Sequence, residues 1–253
     1  MKKQVVVQLK NISKTYTSSL FLSKRKTKAI NNVSLEVYQN EIFTLLGPNG
    51  SGKTTLLNII MGQILSDDGE VFILGTKLKN YIPEKIKKKM NMCSGNPNFP
   101  WCMTVKEILK FYGLLYGISG KKLVQQIDKY ISIFELDKYA NIRFDELSTG
   151  TKQRLALAKS LINEPEILLL DEPTLGLDPE VSIKIRQFIK KLKQEQKITI
   201  ILTTHYMKEA EELSDRIAFI NNGRILSVGT LQEILNTTKS TNLEEVFLKL
   251  THL

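Results

Sequence analysis

IFTLLGPNGSGKTTLLNIIMGQI, Ile42 to Ile64, is the stretch on which the fold turns. Ile42 to Leu46 carry no charge and are mostly bulky or β-branched, the pattern of a short strand buried on both faces of a parallel sheet. Lys53 to Ile64 repeat apolar residues at helical spacing. Between them GPNGSGKTT, Gly47 to Thr55, fits G-x-x-x-x-G-K-[ST] with the strand before and the helix after that this motif requires. Glycines there let consecutive main-chain N–H groups turn inward around a phosphate, and the helix start adds positive potential. The Lys53 ammonium reaches the β- and γ-phosphates, and the Thr54 hydroxyl is placed for Mg²⁺. Gly47, Pro48, Asn49, Gly50, Ser51, Gly52, Lys53, Thr54 and Thr55 are therefore read as a binding loop for a nucleoside triphosphate.

Working outward, ILLLDE, Ile167 to Glu172, is a second buried strand that ends in two carboxylates. Carboxylates at the mouth of a parallel sheet are costly unless a cation or a donor answers them. Asp171 fits the Mg²⁺ shell, and Glu172 fits a base that polarises an attacking water. VVVQLKNI, VSLEV, VFIL, ITIILTT and RIAFI read as further strands. Helical spacing is clearest over 104–116, 121–134, 151–162 and 179–195. From about Asn96 to Ile162 there are helices and no convincing strand, so a helical subdomain is inserted into a sheet core. The expectation is one domain, 1–253, with its core about 1–94 and 164–253 and the helical subdomain about 95–163.

LSTGTKQRL, Leu147 to Leu155, opens one of those helices with residues too small to build a core. Ser148, Thr149 and Gly150 can simply cap it. A helix start beside a glycine is also an anion site. The segment alone allows both.

Composition narrows the classes. The chain has 253 residues, enough for a core that needs no disulfide, and two cysteines, Cys93 and Cys102, without a metal-ligand set around them. Free thiols in a reducing compartment, hence a cytoplasmic protein, are expected. The start, MKKQVVVQLK, is too polar for a secretory leader, and no apolar run approaches the roughly 18 residues of a membrane span. The formal charge of +10 and the runs KRKTK, Lys24 to Lys28, and KIKKK, Lys85 to Lys89, suit nucleic acid, an anionic membrane surface or phosphorylated ligands, or only a solvated face.

GPNGSGKTT, LSTGTKQRL, ILLLDEPT, LGLDP and TTH, in this order and at these intervals, resemble the nucleotide-binding subunit of an ATP-binding cassette transporter, from Val5 to about Leu250. The resemblance implies an α/β, P-loop NTPase fold: a RecA-like parallel-sheet core, an antiparallel β subdomain and the inserted α-helical subdomain. It implies ATP and Mg²⁺ as cofactors and ATP hydrolysis as the activity. It also implies two subunits, alike or different, paired head to tail, so that Ser148, Thr149 and Gly150 of one close over the γ-phosphate held by the other. Small residues would leave room for that approach. Where the family has LSGGQ, Thr149 and Thr151 replace the first of the two glycines and the glutamine, and Gly150 keeps the other glycine. Such LSTG segments are similar to those of exporter-type cassettes.

Further roles carry over by resemblance. Tyr16, in ISKTY, matches the aromatic that stacks on adenine. Asp178, in LGLDP, matches the loop linking the two sites, and His205 matches the histidine that touches the γ-phosphate; His252, in the tail, has no role. The glutamine that the family carries between core and helical subdomain is missing from MNMCSGNPNFPWCMTV, where Asn96 is the nearest amide, with spacing to Thr104 about one residue short.

The insert SSLFLSKRKTK and the tail NLEEVFLKL resemble cassettes that serve a separate membrane permease in export, and Leu243, Val246, Phe247 and Leu250 of the tail also make the apolar face of a packed terminal helix. The expected place is the cytoplasmic face of the cell membrane. A soluble cassette ATPase acting on ribosomes or nucleic acid is the alternative. It usually carries two cassettes or a long coiled-coil insertion, and neither is present, so nucleic acid is not the expected partner. Pro97 and Pro100 make Cys93 to Thr104 a loop, and its Phe99, Trp101 and Met103 either pack on the helical subdomain or meet the permease.

Overall fold

The computed structural model describes residues 4–20, 23–79 and 81–251. Phe21 and Leu22 of the basic insert, and His252, lie outside them. The chain divides into two compact units, residues 1–86 with 199–253, and residues 87–198.

The first unit contains β1 (Val5–Leu20), β2 (Ser23–Tyr38), β3 (Ile42–Leu46), α1 (Lys53–Ile60), β4 (Asp68–Ile73), β5 (Thr76–Lys77) and the short α2 (Glu84–Lys87), whose last residue belongs to the second unit. After the second unit come β8 (Thr199–Thr204), α7 (Met207–Leu213), β9 (Arg216–Asn221), β10 (Arg224–Gly229), α8 (Leu231–Thr238) and α9 (Leu243–Thr251). β2, β1, β4 and β5 form an antiparallel sheet in that order. β3 lies between β8 and β9, parallel to both, and β10 is antiparallel to β9. All residues of β3 and β8 are buried. Strands covered on both faces call for uncharged, mostly aliphatic or β-branched residues, as in IFTLL and TIILTT.

The second unit contains β6 (Met90–Ser94), α3 (Val105–Leu115), α4 (Gly120–Ile133), α5 (Thr149–Leu161), β7 (Ile167–Asp171) and α6 (Pro179–Gln196). β6 and β7 are parallel, with Ser94 opposite Asp171. α3 starts at a capping box in which Thr104 and Glu107 satisfy each other's main-chain N–H groups, worth ~1 kcal/mol.

Several boundaries differ from the sequence reading. The first strand does not stop near Ile12: β1 and β2 run on as a two-stranded antiparallel ribbon, Tyr16 opposite Thr27 and Ser18 opposite Arg25. The mostly polar sequence around Lys14 to Thr17 and Lys26 to Lys28 hid the strand pattern. The first helix stops at Ile60, because Gly62 takes φ 66° and its N–H bonds back to the Ile59 carbonyl. β10 was unread although Asn222-Gly223, with φ 47° and 71°, supplies the two left-handed residues of a tight hairpin turn.

The tail packs. Leu243 and Val246 of α9 are buried against Leu46, Ile217 and Phe219, with Phe247 and Leu250 at the edge. Burying each such side chain stabilises by roughly 1.5–3 kcal/mol, so the tail closes the core behind β3.

The loop after β6 divides its apolar residues. Phe99 is buried in edge-to-face contact with Tyr112 and Phe144, at 5.6 and 5.4 Å between ring centres. Trp101 is 65% exposed and lies 5.5 Å from the Arg143 guanidinium. Cys102 is exposed, whereas Cys93 is buried in β6, where burial pushes its thiol up to about 12. Only the thiolate reacts, and a group with pKa 12 is about one part in 10⁴ thiolate at pH 8. A maleimide at pH 8 should therefore label Cys102 in the folded protein and reach Cys93 only after denaturation. Mass spectrometry of labelled peptides checks this, and equal labelling of both under native conditions would contradict the burial of β6.

Candidate nucleotide and hydrolysis site

The binding loop is shaped by main chain pressing on glycine. A Cβ at Gly47 would collide with the Ile220 carbonyl oxygen of β9, and one at Gly52 would come within 2.6 Å of the Ala29 oxygen of β2. Gly50 and Gly52 also take φ 79° and 108°, a region that L side chains disfavour. Gly223, in the β9–β10 turn, meets the same Ala29 carbonyl and receives the Asn31 N–H at 2.8 Å. The loop is therefore wedged between β9, β2 and the hairpin turn.

Gly52 is the N-cap of α1 and brings no side-chain cap, so the helix start offers its first N–H groups to the loop's concavity. Lys53 is buried, and its ammonium donates to the Gly47 and Pro48 carbonyls at 2.8 and 3.1 Å, curled over the loop. The Ser51 hydroxyl is buried without a protein partner. An uncapped helix start, a glycine cradle and a buried orphan hydroxyl together fit a polyphosphate group. Thr54 and Asn49 are exposed, and Thr55 and Pro48 half-buried.

Two other candidate residues are carried by elements that touch this loop within the first unit. The Gly47 N–H donates to the Thr204 carbonyl at the end of β8, and His205 follows at once, its ring 4.1 Å from that of Tyr206. Thr204 is the register partner of Leu46, so His205 leaves the same strand ends as the loop. Tyr16, 40% exposed, is carried by the β1–β2 ribbon whose Ala29 abuts Gly52.

The second unit carries the carboxylates. Asp171 ends β7, and Glu172 follows with φ 49°, a left-handed conformation that costs a non-glycine residue about 1–2 kcal/mol. Residues held this way cluster where function requires it. Gly95, after β6, packs on this peptide: a Cβ there would collide with the Glu172 carbonyl oxygen and stand 2.8 Å from that of Asp171. The sequence reading overlooked Gly95 and looked at Asn96, whose side chain is exposed and whose N–H donates to the Ser94 hydroxyl at 3.3 Å. The signal was present as a glycine one residue closer to the strand. Asp178 is the exposed N-cap residue of α6, with Pro179 at the first helical position.

α5 starts two residues earlier than its periodicity suggested, at Thr149, so Thr149 and Gly150 lie in its first turn. Ser148 is the N-cap, and its hydroxyl accepts the Thr151 N–H at 3.3 Å and shares a hydrogen with the Thr151 hydroxyl at 2.9 Å. Thr149 and Ser148 are exposed. The helix is anchored by residues not singled out in the sequence: the Gln153 amide donates to the Ser94 carbonyl at 3.4 Å, and the Lys159 ammonium to Asn91 at 3.3 Å. Burial lowers the Lys159 pKa. Within that helix only a polar residue on the buried side marks such anchors.

Among the described residues no group of three or more His, Cys, Asp or Glu side chains could hold a metal, and no helix is long and apolar enough to cross a membrane.

The family model described as ABC transporter matches residues 30–175. The chain is 34% identical over 239 residues to the ABC transporter ATP-binding protein NatA of Bacillus subtilis (strain 168), covering 94% of this chain and 96% of that one. It is also 34% identical to the Nod factor export ATP-binding protein I of Rhizobium sp. (strain N33), covering 96% and 77%. The same identity holds to the spermidine/putrescine import ATP-binding protein PotA of Borreliella afzelii (strain PKo), covering 93% and 65%. Among solved structures, the dimeric post-hydrolysis state of the ATP-binding cassette MJ0796 bound to ADP and Pi superposes with a TM-score of 0.80 at 31% identity, covering 89% and 98%. A cradle shaped for phosphate, in a chain that follows these cassettes almost end to end, has one explanation: the protein belongs to the ABC transporter family, as an ATP-binding subunit with ATPase activity.

Proposed function

We propose that the chain hydrolyses MgATP at two composite sites in a head-to-tail pair of cassettes and so drives export through a separate membrane permease, working at the cytoplasmic face of the membrane. The observation that carries the reading is the first turn of α5. It presents Ser148, Thr149 and the N–H groups around Gly150 at the surface rather than to the core of its own unit.

In this reading Tyr16 stacks on adenine. Gly47 to Thr55 wrap the phosphates, and Lys53 swings from the loop carbonyls to the β- and γ-phosphates. Mg²⁺ supplies charge neutralisation on the phosphate oxygens, and Thr54 and Asp171 would hold it. Glu172 orients the attacking water and accepts its proton, and His205 marks the γ-phosphate end. Ser148, Thr149 and Gly150 act on the partner's nucleotide, and Asp178 meets the partner beside them. The family's glutamine is missing here, and the exposed Asn96 amide is the nearest group to take its role. Export is supported by the LSTG segment and by the Nod factor export relative. An import subunit is equally similar in identity, which agrees with a motor whose cargo path belongs to the permease. Trp101, exposed beside the equally exposed Cys102, offers the permease an aromatic anchor.

Glu172→Gln should bind ATP with unchanged affinity, turn over at least about 10²-fold more slowly and accumulate as a nucleotide-containing dimer, because the group that orients water has lost its charge. Size-exclusion chromatography in saturating MgATP reads this, and a persistent monomer would count against the shared site. Mixing Ser148→Arg subunits with Lys53→Ala subunits leaves one composite site intact in each mixed pair. The mixture should hydrolyse more ATP than either variant alone; a rate equal to their average at every ratio would point to a site within one chain or to obligatory coupling of the two sites. Trp101→Ala should copurify less with the permease while binding ATP normally, and undiminished copurification would remove Trp101 from that contact.

A further inference from the structure

The glycine of the signature turn has a reason inside its own chain. A Cβ built on Gly150 would lie 2.9 Å from Cγ1 and 3.3 Å from Cγ2 of Val181. The first distance is shorter than real Cβ contacts, so one of the two helices, or Val181 itself, would have to move. Val181 is in the first turn of α6, three residues after the N-cap Asp178. It is β-branched and half-buried on a helix, where one χ1 rotamer dominates, so it cannot swing aside freely. The two first turns also face a common groove of about 520 Å³, lined by Ser148, Gly150 and Thr151 on one side and by Val181 and Lys184 on the other.

We infer that Val181 is a positioning residue for the signature turn: seated on the bare α-carbon of Gly150, it locks the start of α5 to the start of α6. Ser148 and Asp178, the two exposed N-caps, then move as one platform. Space at position 150 is needed for this contact and not only for an approaching nucleotide. The inference rests on the reading that this turn serves ATP hydrolysis, but not on which subunit holds the nucleotide.

The prediction is a size-complementary rescue. Gly150→Ala inserts one methyl group into a packed contact and should lower kcat about ten-fold. ATP binding, measured on the isolated protein, should stay unchanged, because the binding loop lies in the other compact unit. Val181→Ala alone removes the group seated on Gly150 and should lower kcat about three-fold while ATP binding stays unchanged. In Gly150→Ala/Val181→Ala the removed methyls make room for the added one, and kcat should return to within about three-fold of Val181→Ala, together with MgATP-driven dimerisation. A merely structural defect in either residue would add in the double variant instead of cancelling. If the double variant stays as slow as Gly150→Ala, glycine is required by what approaches from outside and the inference is overturned. A Gly150→Ala protein as fast as the parent overturns it as well. Should Gly150→Ala fail to give soluble protein, recovery of soluble, active protein by Val181→Ala in the same chain supports the contact, and failure to recover it counts against it. The subunit mixing described above separates the two ideas: rescue here without complementation there leaves the contact in place and moves the nucleotide to its own chain.

Discussion

Main-chain oxygen against glycine is the contact on which the nucleotide cradle depends. Ile220 presses its carbonyl on Gly47, and Ala29 presses one carbonyl on both Gly52 and Gly223. No other residue type can accept a carbonyl at that range, because any Cβ would occupy the same space. The pressure holds the loop concave before any ligand arrives. It also ties together elements far apart in the sequence: the ribbon that bears Tyr16, the loop itself, and the β9–β10 turn. A binding loop that is already shaped loses little conformational freedom when phosphate enters, which is how preorganisation favours both affinity and electrostatic stabilisation.

The same device recurs in the second compact unit. Gly95 admits the Glu172 carbonyl, and Gly150 admits Val181. At Gly95 the partner is main-chain oxygen, and at Gly150 it is a side-chain methyl; in each case only a glycine leaves the space. Glu172 in a left-handed conformation would relax if its surroundings allowed it, so the close packing of Gly95 is part of what keeps the carboxylate's backbone aimed. These positions are occupied by residues that have no chemistry of their own. Their contribution is the absence of a side chain.

α9 is read in the sequence both as a tail of the kind that serves a permease and as a packed terminal helix, because an apolar face alone does not say what covers it. In the fold it covers the cluster of Leu46, Ile217 and Phe219 directly beneath the strand that leads into the loop. The loop after β6 shows the converse. Phe99 and Trp101, two residues apart, look alike in the sequence, yet one is locked among rings and the other faces solvent.

Local chemistry was legible in the sequence wherever a residue type has few other uses. Gly47 to Thr55 between an aliphatic strand and a helix, and four aliphatic residues running into Asp171 and Glu172, admit few alternatives, since buried strands and phosphate loops each demand a narrow composition. The helices of 104–162 were legible for the same reason, to within a residue or two at their ends. What only the tertiary structure decided is what meets what. The outer part of the β1–β2 ribbon, where Tyr16 faces Thr27 and Thr17 faces Lys26, is mostly polar and so carries no periodic signal. The importance of Gly95, Gly150 and Gly223 comes from Glu172, Val181 and Ala29, which approach them from elsewhere in the chain. A glycine records in the sequence that something comes close, but the partner is chosen by packing, and packing exists only once the chain has folded.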